Sequence, residues 1–119
     1  MTLLAKHYHY DGKRYDFIVT ERQQARCPRW DAEREANPPL SAAHALAKAN
    51  KFIANFKTKD SLVWELDALA LINVAGWMWS ARYRLTKKIG IMTGAWPEMG
   101  CWILMDGTVV EPTITEDEK

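Results

Sequence analysis

Apolar and polar residues alternate near the start of the chain, as they do in half-buried β-strands. Between the two alternating runs lies Asp11-Gly12, a dipeptide that favours the two-residue type I′ turn of a β-hairpin. A turn of that length pairs Tyr10 with Lys13 and fixes every other pair in the ladder. We therefore predict an N-terminal hairpin with Tyr8 opposite Tyr15 on its apolar face.

A second segment repeats its apolar residues at helical spacing. Ser41 follows two prolines and suits the N-cap position. The apolar stripe that comes after it consists of Ala42, Ala45, Leu46, Ala49, Phe52, Ile53 and Phe56. The pattern predicts one amphipathic helix whose apolar face packs against a sheet.

Residues 61–75 are ambiguous, because the run WELDALAL also has good helix propensity. Alternation with a period of two favours strands instead. A hairpin that turns at Ala75-Gly76 pairs Val74 with Trp77, aligns the apolar residues of both strands and brings Asp67 opposite Arg84. We therefore expect two strands, and a second helix is the alternative. The outer face of this hairpin would carry Leu69, Leu71, Met78, Arg82 and Arg84.

A third hairpin is predicted from Cys101–Met105 and Thr108–Ile114, which flank Asp106-Gly107 and place Ile103 opposite Val110. Residues 21–40 are charged and broken by prolines, which predicts a long connection with a helical turn over 31–36. Residues 87–100 are predicted to be a glycine-rich loop, and the acidic residues 115–119 a frayed tail.

The order of elements is therefore ββ-α-ββ-ββ. It predicts an α+β fold in which a twisted antiparallel β-sheet, built from three hairpins, carries one amphipathic helix on one face. A chain of 119 residues has the size of a single domain, 1–119. Such a sheet leaves its outermost strands unpaired, so a homodimer formed through an edge strand is one expected assembly.

Composition narrows the classes of function. The 16 basic and 15 acidic residues give a net charge of +1, which provides no general attraction to nucleic acid or membrane. No apolar run approaches the length of about 18 residues that a membrane span needs. The start of the chain lacks the pattern of a secretory signal, so we expect Cys27 and Cys101 to be reduced thiols in a cytoplasmic protein. No cofactor motif is visible.

Some residues could carry chemistry. In the first hairpin His7 lies opposite Asp16, and a carboxylate can orient an imidazole for general base catalysis. No nucleophile is implied nearby, so an exposed polar pair is the favoured interpretation. Glu65 and Asp67 are most simply part of a solvated strand face. His7 and His9 could begin a zinc site, but the cysteines have no near partner, and we predict neither a catalytic nor a metal site.

The six tryptophans suggest binding, since Trp and Arg are enriched at interface hot spots. Trp30 lies in a charged loop, and Trp96 precedes Pro97 in the glycine-rich loop. Loop tryptophans could equally fold back as lids over the core. The predicted partner-binding residues are Arg26, Arg29, Trp30, Trp96, Arg82 and Arg84.

We therefore expect a small non-enzymatic module that binds another protein as an inhibitor or regulator. One-domain inhibitors encoded by phages and plasmids, including blockers of host defence, have a similar size and composition. A nucleic-acid-binding module is the first alternative, with contacts from Arg82, Arg84, Lys87, Lys88, Lys48 and Lys51. A small enzyme that uses His7 and Asp16 is the second alternative.

Overall fold

A computed structural model describes residues 1–59, 61–87, 90 and 96–117 of the chain. Within these ranges it contains six strands and two helices, and the α+β class is confirmed. The strands are β1 Thr2–Tyr10, β2 Lys13–Thr20, β3 Leu62–Asn73, β4 Trp77–Lys87, β5 Glu98–Leu104 and β6 Thr113–Glu116, and the helices are α1 Glu21–Ala25 and α2 Ala42–Ile53.

The strands form two antiparallel sheets of three strands where the sequence predicted one sheet. The first has the order β1-β2-β6 and the second the order β3-β4-β5. The predicted register of the first hairpin is confirmed from Tyr10 opposite Lys13 onward. Asp11 and Gly12 have φ values of 51° and 73°, as a type I′ turn requires, which explains why this register could be predicted.

The second hairpin is also present, but its predicted register is wrong by one residue. Trp77 lies opposite Asn73 and not Val74, so the loop contains three residues and not two. The Asn73 side chain accepts a hydrogen bond from the Gly76 N–H at 3.1 Å, and the Val74 N–H donates to the Gly76 carbonyl at 2.9 Å. These contacts stabilise the longer turn, which the two-residue assumption overlooked.

A shift of one residue should turn every side chain of a strand to the opposite face. A β-bulge between Leu66 and Ala68 compensates for the shift, because it inserts Asp67 as an extra residue. Before the bulge the register differs from the predicted one by two residues, so Leu66 lies opposite Tyr83 and not Leu85, but Trp64 and Leu66 remain on the predicted core side. After it the faces are exchanged. Leu69 and Leu71, predicted to point outward, instead lie on the face of Trp79 and pack against the core, whereas Met78 stays on the face opposite Trp79, as predicted, but is fully buried there.

The third hairpin is shorter than predicted. Ile103 forms a bridge with Val109 and not with Val110, and the Val110 N–H donates to the Trp102 carbonyl. Proline cannot donate a ladder hydrogen bond, so the pairing ends before Pro112.

The chain then crosses to the first sheet, where Thr115 and Glu116 pair with β2 within β6. The predicted frayed tail is therefore wrong for these two residues, and 118–119 lie outside the described residues. The predicted loop over 87–100 lies partly outside them as well, and its last three residues begin β5.

Helix α2 and both sheets enclose one core. Ser41 caps α2 by accepting from the His44 N–H, and the helix buries Ala45, Ala49, Phe52 and Ile53. Phe17 of the first sheet contacts both Phe52 and Trp102, with ring centroids 6.0 and 6.4 Å apart. The two sheets approach so closely at Gly100 that a Cβ there would lie 2.5 Å from the Tyr8 hydroxyl oxygen.

Candidate functional site

A cavity of about 370 Å³ lies between α1, the loop that follows it and the β3–β4 turn. We call it the tryptophan pocket. Its lining includes Leu3, Glu21, Gln24, Ala25, Cys27, Pro28, Arg29, Trp30, Asn73, Ala75, Gly76 and Trp77. This volume falls at the lower end of the range for ligand-binding pockets, about 300–1,000 Å³. It is large enough for one or two side chains of a partner.

Two half-buried indole rings belong to the lining. The Trp30 and Trp77 rings pack edge to face, with centroids 5.3 Å apart and planes at 67°. The Trp30 Nε1–H donates to the Glu35 carbonyl at 3.2 Å, which links the ring to the turn at residues 31–35 of the same loop. That turn is closed by a hydrogen bond from the Glu35 N–H to the Asp31 carbonyl, so the predicted helical turn is present. Trp30 is therefore held by specific contacts.

Gln24 anchors the pocket to the β3–β4 turn. Its side chain is 7% exposed, and its Nε2 group donates to the carbonyls of Val74 and Gly76 at 3.2 and 2.9 Å. Its Oε1 atom has no hydrogen-bond partner among the described residues. A buried acceptor without a partner costs about 1–3 kcal/mol, and such a group calls for an explanation.

The sequence did not single out Gln24 or predict α1. A signal was present, because Thr20 and Gln23 form a capping box. Thr20 Oγ1 accepts from the Gln23 N–H, and Gln23 Oε1 accepts from the Thr20 N–H. The box starts a helix directly after β2, and this helix brings Gln24 beneath the turn. Trp77 was expected in the core; it packs against the core, but it is only half-buried and its ring also contacts Trp30.

The predicted partner-binding residues do not form one surface. Arg29 and Trp30 line the tryptophan pocket, whereas Arg26 is exposed at the C-cap of α1 and is not part of the lining. Trp96 is half-buried directly before β5. The predicted binding role of these residues stays a prediction.

Arg82 and Arg84 lie on the other face of the second sheet from Tyr83, and both pair with Asp67. The Asp67 carboxylate is 2.8 Å from Arg82 Nη2 and 3.7 Å from Arg84 Nη2. The expected Asp67–Arg84 ion pair is therefore present, but Glu65 and not Asp67 lies opposite Arg84 in the ladder, and Arg82 is the closer partner of Asp67. The aromatic ring of Tyr83 is buried, so it does not share a surface with the arginines. Lys88, also assigned to this basic surface, lies outside the described residues.

The candidate catalytic pair is adjacent but not hydrogen-bonded. His7 lies opposite Asp16 in the ladder, and both border a shallow depression of about 200 Å³. The Asp16 carboxylate accepts from Arg14 Nε at 3.0 Å, and the His7 ring packs edge to face on His9. His9 in turn contacts the Asp117 carboxylate at 3.0 Å. An arginine thus occupies the carboxylate that would have oriented the imidazole.

The two thiols form no disulfide and are held in their protonated form. Burial, and to a smaller extent the charge of Glu111, raises the pKa of Cys101 to about 12. Burial also raises the pKa of Cys27, whose Sγ–H donates to the Gln23 carbonyl. In the part of the chain that the structure describes, no cluster of three or more His, Cys, Asp or Glu residues could hold a metal ion.

Comparisons with protein-family models, with curated proteins and with solved structures find no match for this chain. No helix among the described residues has the length and apolar character needed to cross a membrane.

Proposed function

We propose that this protein is a non-enzymatic module that binds another protein as an inhibitor or regulator, and that the tryptophan pocket is its contact surface. The observation that carries the proposal is the edge-to-face pair of Trp30 and Trp77 in a cavity of about 370 Å³. Half-buried indoles provide a large contact area with little remaining conformational freedom, which is typical of interface anchors.

The charges around the pocket indicate the chemistry of the partner. Within residues 21–29, Arg22, Arg26 and Arg29 are exposed and Glu21 is the one acidic residue; Arg29 and Glu21 also line the pocket. A partner segment with an apolar side chain next to a carboxylate would match this surface. A hydrogen-bond donor on that segment would satisfy Gln24 Oε1, the acceptor that lacks a partner.

The nucleic-acid alternative is less well supported. Arg82 and Arg84 share one carboxylate, and Glu65 and Glu98 are the neighbours of Arg84 in the ladder, so this face is not a basic surface. A gel-shift series at decreasing salt would test it, because phosphate contacts strengthen steeply as salt falls.

The experiment is quantitative affinity capture from a lysate of the organism that encodes the protein. The baits are wild type, Trp30→Ala and the double variant Arg26→Ala/Arg29→Ala. Matched controls are Ile114→Ala, which removes an exposed apolar side chain from β6, and Lys51→Ala, which removes an exposed charge from α2. We expect one protein to be retained by wild type and controls and lost from both Trp30→Ala and the arginine double variant. Equal retention by all five baits, or no specific retention, would contradict the proposal.

A further inference from the structure

Strand β3 lies at the edge of the second sheet. It pairs with β4 on one side, and over 63–73 its other side has no backbone partner among the described residues. Natural proteins usually protect such edges with lysine, proline or a bulge, because unpaired N–H and C=O groups attract another strand. Strand β3 contains no Lys, Arg or Pro, and its Val63 and Leu66 side chains are 39% and 37% exposed.

The bulge at Asp67 is the one such protection in β3, and it divides the strand. The part that follows, Ala68–Ile72, pairs with β4 without interruption and contains only apolar residues. A regular, uncharged edge of five residues is suited to extending the sheet by one more strand. The bulge would end that pairing and so limit the number of registers available.

We propose that this edge pairs with β3 of a second copy of the chain, antiparallel and about a two-fold axis at Ala70. In this register Ala70 faces Ala70 of the second copy, and Leu69 faces Leu71. The small Ala68 faces the larger Ile72, and the same pair recurs on the other side of the axis. The β3-β4-β5 sheets of the two copies then form one sheet of six strands, and the interface between the copies is closed and isologous.

The sequence of the edge favours a second copy in this register. A two-fold axis at Leu66 would place Glu65 opposite Asp67, and like charges directly opposite each other destabilise a sheet. The axis at Ala70 brings Asp67 of one copy near Asn73 of the other, an acid near an amide. About this axis each Ala68 faces an Ile72, so a small side chain meets a large one at both ends of the paired segment.

A charge-swap experiment tests both the assembly and the register. Ala70 is exposed in the single chain, so Ala70→Lys and Ala70→Glu should each fold, and melting by circular dichroism verifies this. Each variant opposes two like charges at the axis, whereas an equimolar mixture of the two opposes a lysine and a glutamate. Ala43→Lys, at an exposed position of α2, is the matched control.

Sedimentation velocity over a range of concentrations gives the oligomeric state. We expect wild type and Ala43→Lys to form dimers. The dimer of each Ala70 variant should dissociate at a protein concentration at least about tenfold higher than the wild-type dimer does. The equimolar mixture should form the dimer again. A wild type that stays monomeric overturns the proposal, and so does a dimer that Ala70→Lys leaves intact. A mixture that stays monomeric overturns the register.

Discussion

Two tryptophans should respond very differently to truncation. Trp79 lies in the core, is 7% exposed and donates its Nε1–H to the Leu40 carbonyl at 2.8 Å. Trp30 is half-buried, packs on the Trp77 ring and donates a hydrogen bond to one exposed carbonyl. We compare Trp79→Ala with Trp30→Ala because the first removes part of the core and the second part of the proposed contact surface.

The structure sets the magnitudes. Truncation of a buried Trp to Ala costs about 3–5 kcal/mol of unfolding free energy through lost burial and the cavity left behind. In Trp79→Ala the half-buried Leu40 carbonyl also loses its donor, which places the expected cost in the upper half of that range. Trp30→Ala gives up an edge-to-face contact worth about 0.5–1.5 kcal/mol and an exposed hydrogen bond. Its total should be about 1–2 kcal/mol.

Urea denaturation followed by circular dichroism measures both values, provided that the m-value of each variant matches wild type. Trp79→Phe is the control, since it keeps most of the ring volume and loses the Nε1–H donor, and it should fall between wild type and Trp79→Ala. Equal destabilisation by Trp79→Ala and Trp30→Ala, within about 0.5 kcal/mol, would refute the assignment of one ring to the core and the other to the surface.

Two further predictions concern the core. Gly100→Ala should lower the unfolding free energy by about 1–3 kcal/mol, because its Cβ would meet the Tyr8 hydroxyl and the Ala81 carbonyl. Adding Tyr8→Phe to this variant should restore part of the lost free energy. No loss at all in Gly100→Ala would contradict the close approach of the two sheets. The unfolding free energy should fall above pH 9 by about 1.4 kcal/mol per pH unit. The Cys101 thiol has a pKa near 9.0 in the unfolded chain and about 12 in the folded protein. Between these pH values the unfolded state therefore binds fewer protons than the folded state, and rising pH favours unfolding. Cys101→Ala should make the fall between pH 9 and 10 less steep and leave the contribution of Cys27, whose pKa burial also raises; an unchanged slope would show that the Cys101 thiol is not responsible.

Local turn chemistry decided how much of the fold could be predicted. Asp11-Gly12 allows one short loop, so every pair of the first hairpin followed from it. At the second hairpin the same reasoning failed by one residue, because the Asn73 side chain and Gln24 together stabilise a three-residue loop. Gln24 comes from a helix some 50 positions earlier in the chain, and local pattern contains no information about such a contact.

The alternation of β3 correctly predicted a strand, but the faces assigned to its side chains after Asp67 were wrong. Both possible stripes of this segment are apolar after Asp67, so the pattern allows either assignment. Only the bulge distinguishes them, and it is stabilised by the contacts of Asp67 with Arg82 and Arg84. The split into two sheets was not predictable from the hairpin patterns, since it depends on where β6 pairs.

The candidate site was predicted in part. Trp30 and Arg29 were selected because Trp and Arg are enriched at interfaces, and both line the cavity. Trp77 matched the apolar stripe by alternation and was assigned to the core. Whether a side chain at the end of a strand faces the core or a neighbouring loop depends on the path of that loop. The capping box at Thr20 was the one local indication of that path.

The role of the tryptophan pocket is tested most directly by calorimetric titration of the captured partner into wild type and Trp30→Ala, with Ile114→Ala as control. We predict that Trp30→Ala weakens binding by about 2 kcal/mol or more, roughly thirtyfold, and that the control binds like wild type. An unchanged affinity for Trp30→Ala would show that the partner binds elsewhere and would contradict the tryptophan pocket as the contact surface.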